Sequence, residues 1–239
     1  MLKILMTCEH GGNLIPPAYA GLFTTQQELL QSHRGYDKGA LELLETLEDL
    51  ADKTFYSTTS RLLVELNRSL HHKSLFSDVT KTLPEREQRQ VLKEHYHPYR
   101  ERVEELVEDL TRVGHQVLHI AVHSFTPVLD GEERQADIGL LYDPRRETER
   151  DFCRSWKKAL REQQPELVVR FNYPYLGIAD GFPTYLRRKF PEGQYSGIEL
   201  EVNQKYPETG GQPWQQLQKS LRRSLEAVLS KYKPDGKEK

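Results

Sequence analysis

Apolar residues gather into short runs and stripes along this chain, and their spacing predicts strands alternating with helices. Residues 2–8 are apolar over one strand length and stop at Glu9-His10-Gly11-Gly12-Asn13, a buried strand opening into a tight loop. Residues 54–58 and 62–66 read as strands, the latter because Leu62, Val64 and Leu66 alternate with Leu63, Glu65 and Asn67. Residues 116–122 are nearly all apolar and run straight into His123-Ser124; residues 137–142 and 167–172 add two short strands. Residues 197–203 alternate strictly, with Ile198, Leu200 and Val202 facing one way and Glu199, Glu201 and Asn203 the other. Same-face neighbours on such a strand lie roughly 6.6 Å apart.

Helical stripes lie between these strands. Pro16-Pro17 bars regular structure after the first loop, and a helix is expected to start near Thr24 or Thr25, either of which can serve as N-cap. Ala40, Leu44, Leu47 and Ala51 follow helical spacing. Residues 84–113 read as one long helix, bent at Pro98, with Val103, Leu106, Val107, Leu110 and Val113 as its buried stripe and Gly114 as its stop. Residues 148–163 turn Phe152, Trp156 and Leu160 inward, and residues 213–230 do the same with Trp214, Leu217, Leu221, Leu225 and Val228. Residues 172–193, rich in Tyr, Gly and Pro, read as a long loop of the kind that forms a lid or a site wall. Strands alternating with helices predict an α/β fold whose mostly parallel or mixed sheet is covered on both faces.

Composition narrows the function more than the fold. No linker-like stretch divides the 239 residues, so one domain over 1–239 is expected, with Lys231–Lys239 as a frayed tail. Lys+Arg number 34 and Asp+Glu 36, a net charge of −2, which gives no bulk reason to expect nucleic acid or an acidic membrane surface as partner. No apolar run approaches the roughly 20 residues of a membrane span, and residues 2–8 are too short for a signal-peptide core. Cys8 and Cys153 are too few for a disulfide framework, and a reduced, cytoplasmic setting follows.

The candidate chemistry sits at strand ends. His10 and His123 each close an apolar run, where open α/β sheets keep their active residues. Asp37 stands at a loop-to-helix junction, where it can equally cap the helix. Glu201 lies in the alternating strand, which reads the same way if it is a solvated edge strand. Two imidazoles and one carboxylate are the usual ligands of a catalytic zinc, and a further carboxylate can take a proton from water held there. Arg61 and Arg68 bracket SRLLVELNRS, and Asn67-Arg68 offers an amide beside a guanidinium that can fork a carboxylate; two ordinary surface arginines would read alike. His95 and His97 lack the i,i+4 spacing of a helical zinc pair and read as structural or rim residues.

Seven stretches together resemble one family. EHGGNLIPP, HRGYDKGA, SRLLVELNRS, HYHPYR, AVHSFTP, DIGLLYDP and GIELEVNQ occur in the order seen in the N-formylglutamate amidohydrolases, distant relatives of the zinc carboxypeptidases, and cover most of residues 4–204. The resemblance implies a phosphorylase/hydrolase-like three-layer αβα sandwich holding one Zn2+. It implies hydrolysis of a small acidic N-formyl or N-acyl amino acid, such as N-formylglutamate, or of a peptide. His10 and His123 are the implied zinc ligands, with Asp37, or else Glu9, as the third. Glu201 is the implied general base, Arg61 the implied aid to the oxyanion, and Asn67 and Arg68 the implied grip on the substrate carboxylate. His33 is placed to orient Asp37 or touch the zinc-bound water. In the carboxypeptidases a Glu follows the first His by three residues, where this chain has Asn13. The stretch NYPYLGIADGFPTYLRR also departs from the family and is expected to shape the substrate pocket through Thr184, Tyr185 and Arg187. The same motifs fit an inactive carboxylate- or peptide-binding member, or an amidase acting on peptidoglycan-type peptides with the same metal centre.

Overall fold

The computed structural model describes residues 1–232. Its strands are β1 (Leu2–Cys8), β2 (Lys53–Tyr56), β3 (Gln116–Phe125), β4 (Val128–Leu129), β5 (Glu132–Glu133), β6 (Ile138–Leu141), β7 (Val169–Phe171) and β8 (Tyr195–Asn203). Its helices are α1 (Gln27–Gln31), α2 (Ala40–Leu47), α3 (Glu85–Val91), α4 (His97–Arg112), α5 (Glu147–Gln163), α6 (Phe182–Lys189), α7 (Lys205–Thr209) and α8 (Gly211–Tyr232). Six strands form one mixed sheet in the order β2-β1-β3-β8-β6-β7, and β4 and β5 form a small separate hairpin. β2, β1, β3 and β8 run parallel; β6 is antiparallel to β8, and β7 follows β6. β8 is therefore interior to the sheet, and the solvated-edge reading of its alternation does not hold.

The two faces of the sheet bury different chemistry. One presents Ile4, Met6, Cys8, Leu118, Ile120, Val122, Ile198, Leu200 and Val202 to α2, α5 and α8, in one continuous apolar core. Each large side chain fully buried there contributes about 1.5–3 kcal/mol. The other face, shifted by one residue, carries Leu5, Val117 and Tyr195 against α4 and α6 at its N-terminal end. Toward the C-terminal ends the same alternation brings Thr7, His119 and then Glu9, His123, Glu199 and Glu201, all buried. Polarity thus rises along one face of the three central strands and peaks where their chains leave the sheet.

Several local expectations are corrected. Residues 62–66 form a buried turn and not a strand: the Leu63 N–H donates to the Ser60 carbonyl, and the Glu65 N–H to the Leu75 carbonyl. Every residue from Leu62 to Asn67 is buried in this folded-back segment, so the alternation there marks no sheet face. Neither Thr24 nor Thr25 caps α1; its N-cap is Gln26, and the Thr24 hydroxyl donates to the Gly21 carbonyl. The long helix is interrupted by a π turn at Leu92–Tyr96, just ahead of Pro98, which has no N–H to continue the ladder. The loop at 172–193 contains α6, opened by Pro183. Lys231 and Tyr232 complete α8, with the Tyr232 ring 5.6 Å from that of Phe152; the rest of the expected frayed tail lies outside the described residues. Among those residues no helix is long and apolar enough to cross a membrane.

His119, between the apolar and charged ends of the polar face, gives a pH prediction. Its Nε2 lies 2.7 Å from Thr7 Oγ1 and its Nδ1 2.7 Å from Tyr195 Oη, and burial drives its pKa down to about 4. The unfolded chain protonates this ring below about 6.5, whereas the folded chain does so only near 4. Stability is therefore expected to fall as pH drops through that window, by up to about 3 kcal/mol. Urea unfolding at pH 7 and pH 5 measures it; an undiminished pH dependence in His119→Gln would refute the assignment to this ring.

Candidate metal centre

The sheet and three connections bring the candidate residues to one place. β1 delivers Glu9 and His10, and β3 delivers His123, whose register partner on β8 is Glu201. Gly11 and Gly12 let the next segment press close: a Cβ on Gly12 would lie 2.7 Å from the Thr58 carbonyl oxygen. That contact folds the chain back beside residues 57–60, from which Arg61 and Glu65 reach inward. Asp37 arrives ahead of α2, its N–H donating to the His10 carbonyl. Its carboxylate makes no helix cap, since Gly39 fills that position, and points into the centre instead.

His10 Nδ1 and His123 Nδ1 both face Asp37 Oδ2, at 3.2 Å and 3.0 Å. One ligand atom from each of these three buried residues lies within 4.8 Å of the others, a group able to hold a metal ion. The far nitrogen of each ring meets a second buried carboxylate. His10 Nε2 makes a short contact with Glu65 Oε1, and His123 Nε2 lies 3.2 Å from Glu9 Oε2. Such carboxylates fix the tautomer and orientation of metal-binding histidines. Glu9 in turn accepts from the Tyr99 hydroxyl (3.0 Å), and Glu65 from the Asn67 N–H (2.9 Å) and Arg61 Nε (2.7 Å).

Burial resists charge on all these groups, and partners override it for most. The His123 hydrogen bond and charge pull the Glu9 carboxyl down to about 2 against its burial. Asp37 lies well below the usual carboxylate range despite burial, through His10, His123 and Arg61. Glu65 is lowered likewise by Arg61 and His10. His123 is raised well above its ordinary value because Asp37 and Glu9 outweigh its burial. Glu201 is the exception. Burial pushes its carboxyl up to about 8, opposed by His123 and reinforced by Asp37 and Glu199, and among the described residues its Oε2 has no hydrogen-bond partner. An unpartnered buried oxygen beside a cluster of ligand atoms is what a site awaiting a cation and a proton-bearing substrate would show. The donor set fits a divalent metal.

The matching family model is that of N-formylglutamate amidohydrolase, over residues 2–206. The chain belongs to the N-formylglutamate amidohydrolase family. Among curated proteins no match was found. Two solved structures share the architecture. The gene product Atu2144 from Agrobacterium tumefaciens superposes with a TM-score of 0.77 at 25% identity, covering 96% of this chain and 91% of that one. An N-formylglutamate amidohydrolase from Ralstonia eutropha JMP134 superposes with a TM-score of 0.75 at 19% identity, covering 95% and 93%. As a member of the N-formylglutamate amidohydrolase family, this chain is a hydrolase of amide bonds.

In this amidohydrolase a cavity of about 160 Å³ opens onto the centre, lined by His10, Asp37, Arg61, Arg68, His123 and Glu201 among others. Asn67 also lines it, its Oδ1 accepting the Phe182 N–H (2.6 Å) and its Nδ2 donating to Glu199 Oε2 (3.3 Å). Arg68 Nη1 donates to the Asp180 carbonyl (2.5 Å), leaving its Nε and Nη2 without hydrogen bonds among the described residues.

Other expected residues lie elsewhere. His33 lines a neighbouring cavity of about 350 Å³ that meets the centre's cavity at Arg61 and Tyr175. Tyr185 and Arg187 do not line the centre's cavity. The Tyr185 hydroxyl donates to Glu104 (2.8 Å), and Arg187 is spent on buried Glu149 (2.9 Å) and on the Gly177 and Gly197 carbonyls. They were expected at the pocket because their segment reads as a loop; as α6 it ties to α4, α5 and the sheet. Thr184 joins that network through Arg187 Nη1 (3.1 Å). His95 faces the Tyr19 ring edge-on and His97 lies 3.4 Å from Glu101, both away from the centre. Glu65 is the residue the sequence reading passed over. It alternates like a strand residue, and nothing in its spacing ties it to His10, 55 positions earlier.

Proposed function

We propose that this chain is a zinc-dependent amidohydrolase of N-formyl or N-acyl amino acids of the N-formylglutamate type. The observation that carries this reading is Glu201: buried, unpartnered at Oε2 among the described residues, and in the same cavity as His10, Asp37 and His123. The three ligands would hold Zn2+, which when bound acidifies water and polarises an amide carbonyl. Glu201 takes a proton from the attacking water and returns it to the leaving amine. A carboxyl whose burial raises it to about 8 suits both halves of that transfer near neutral pH. Arg61, held by Glu65 and by Asp37 Oδ1 (3.1 Å), brings positive charge to the side where the oxyanion develops. Arg68 forks the substrate carboxylate through its free Nε and Nη2, fixing the amide's position. Free, buried Cys8 and Cys153 support a reducing, cytoplasmic setting.

The test is an amide-hydrolysis screen over N-acyl amino acids, beginning with N-formylglutamate, before and after chelation. Chelation is expected to abolish turnover and Zn2+ to restore it; activity indifferent to metal removal would sink the reading. Arg68→Ala is expected to lower kcat/KM by on the order of 10–100-fold, mainly through KM, as loss of a charged hydrogen-bond pair does. An unchanged KM would remove Arg68 from the substrate.

A further inference from the structure

The HYHPYR stretch does not line the centre's cavity, yet three of its side chains reach residues that form the centre. The π turn at Leu92–Tyr96 runs into α4, which puts Tyr96, Tyr99 and Arg100 on one face at i, i+3 and i+4. His95 and His97 fall off that face, toward Tyr19 and Glu101. The face packs on residues 62–68, which belong to no strand of the sheet. Buried carbonyls there must find donors outside a strand ladder. Arg100 Nη1 donates to the Leu66 carbonyl (2.7 Å) and the Tyr96 hydroxyl to the Arg68 carbonyl (2.7 Å), on either side of Asn67. Arg100 is itself buried, its Cζ 4.1 Å from the Phe182 ring centre and 4.7 Å from that of Tyr185. Tyr99 reaches the opposite side of the centre. Its hydroxyl donates to Glu9 Oε1 (3.0 Å), and Glu9 Oε2 lies 3.2 Å from His123 Nε2.

One helix face therefore braces two parts of the site separately. Tyr96 and Arg100 pin the backbone on both sides of Asn67, and so the direction from which the Arg68 fork meets a carboxylate. Tyr99 pins the carboxylate behind His123, and so the orientation of that ring. We propose that Tyr96 and Tyr99 are positioning residues for the amide hydrolysis, Tyr96 setting the Arg68 grip on substrate and Tyr99, through Glu9, setting His123 as a metal ligand. Neither tyrosine lines the cavity, so each acts only through the residue it holds. The proposal rests on the amidohydrolase reading above and adds the residues that keep its parts in register.

The test uses Tyr96→Phe and Tyr99→Phe in the full chain; each removes one oxygen and keeps the ring in its packing, so both variants are expected to fold. Zinc affinity is measured by competition against a chelator. KM and kcat are measured at saturating Zn2+ with N-formylglutamate, or with the panel member the parent hydrolyses fastest. Tyr96→Phe is expected to raise KM by about 3–10-fold, the effect of one lost hydrogen bond, with zinc affinity within about twofold of the parent's. Tyr99→Phe should weaken zinc binding by about 3–10-fold, less than the loss of Glu9 itself, with KM within about twofold. A general loosening of the fold lowers the melting temperature without sorting one constant from the other. An unshifted constant where a shift is expected overturns the role given to that tyrosine, and so does a variant that shifts both constants alike. If the parent hydrolyses no member of the panel, the amidohydrolase reading fails and the Tyr96 role falls with it. Zinc affinity then still decides the Tyr99 role, which a parent that binds no zinc overturns as well.

Discussion

Glu201→Gln is expected to bind zinc as the parent chain does and to lose on the order of 10²–10⁴ in kcat, the range removed with a general acid–base group. The exchange keeps volume and shape, so the neighbouring strand β6 has no reason to move. Gly139 packs directly against this side chain, where a Cβ would stand 3.2 Å from that of Glu201 and 1.9 Å from the Tyr173 carbonyl oxygen, so the space is tightly defined. Glu201 lies outside the His10–Asp37–His123 group, which is why metal content should be unaffected. What the amide cannot do is accept and return a proton. Metal content by elemental analysis and single-turnover rates measure the two halves separately. Undiminished turnover in this variant would refute the proposed base, and lost metal would move Glu201 into the ligand set.

Asp37→Ala is expected to abolish stoichiometric zinc binding, whereas Glu9→Gln should weaken it only by about 10–100-fold, the usual effect of losing a partner behind a ligating histidine. Asp37 Oδ2 faces both imidazole Nδ1 atoms, so with the proposed ligand set its removal takes one ligand and opens the gap between the other two. Glu9 meets only the far side of His123, and the amide can still accept from that ring. Competition titration against a zinc chelator distinguishes them. Equal losses in the two variants, or a larger loss in Glu9→Gln, would make Glu9 the third ligand.

The legibility of this chain differs between levels. The helices around 40–47, 147–163 and 211–232 announce themselves because one face of each is buried, and burial imposes the period that sequence displays; the strands at 2–8, 116–125 and 195–203, covered on both faces, announce themselves as apolar runs or as an apolar face alternating with a polar one. The turn at 62–66 misleads because every residue of it is buried, so its alternation marks no sheet face. The helix at 182–189 is hidden by the Tyr, Gly and Pro residues around it, and with it the structural employment of Arg187 and Tyr185. The two histidines at strand ends were legible as candidate ligands, since an imidazole at the end of an apolar run is conspicuous.

By itself, then, the order of residues determined an α/β architecture, a family, and a short stock of residue types suited to metal-assisted amide hydrolysis. Only the tertiary structure decided which of them meet. The residues that meet there, Asp37 as partner to both imidazoles, Glu65 and Glu9 behind those rings, and Glu199 with Asp180 on the pocket wall, are separated by up to 190 positions, and periodicity carries no information across such distances. Local spacing reports which way a side chain points from its own element. Whether it finds a ligand, a counter-charge or nothing there is set by the packing of other elements against it.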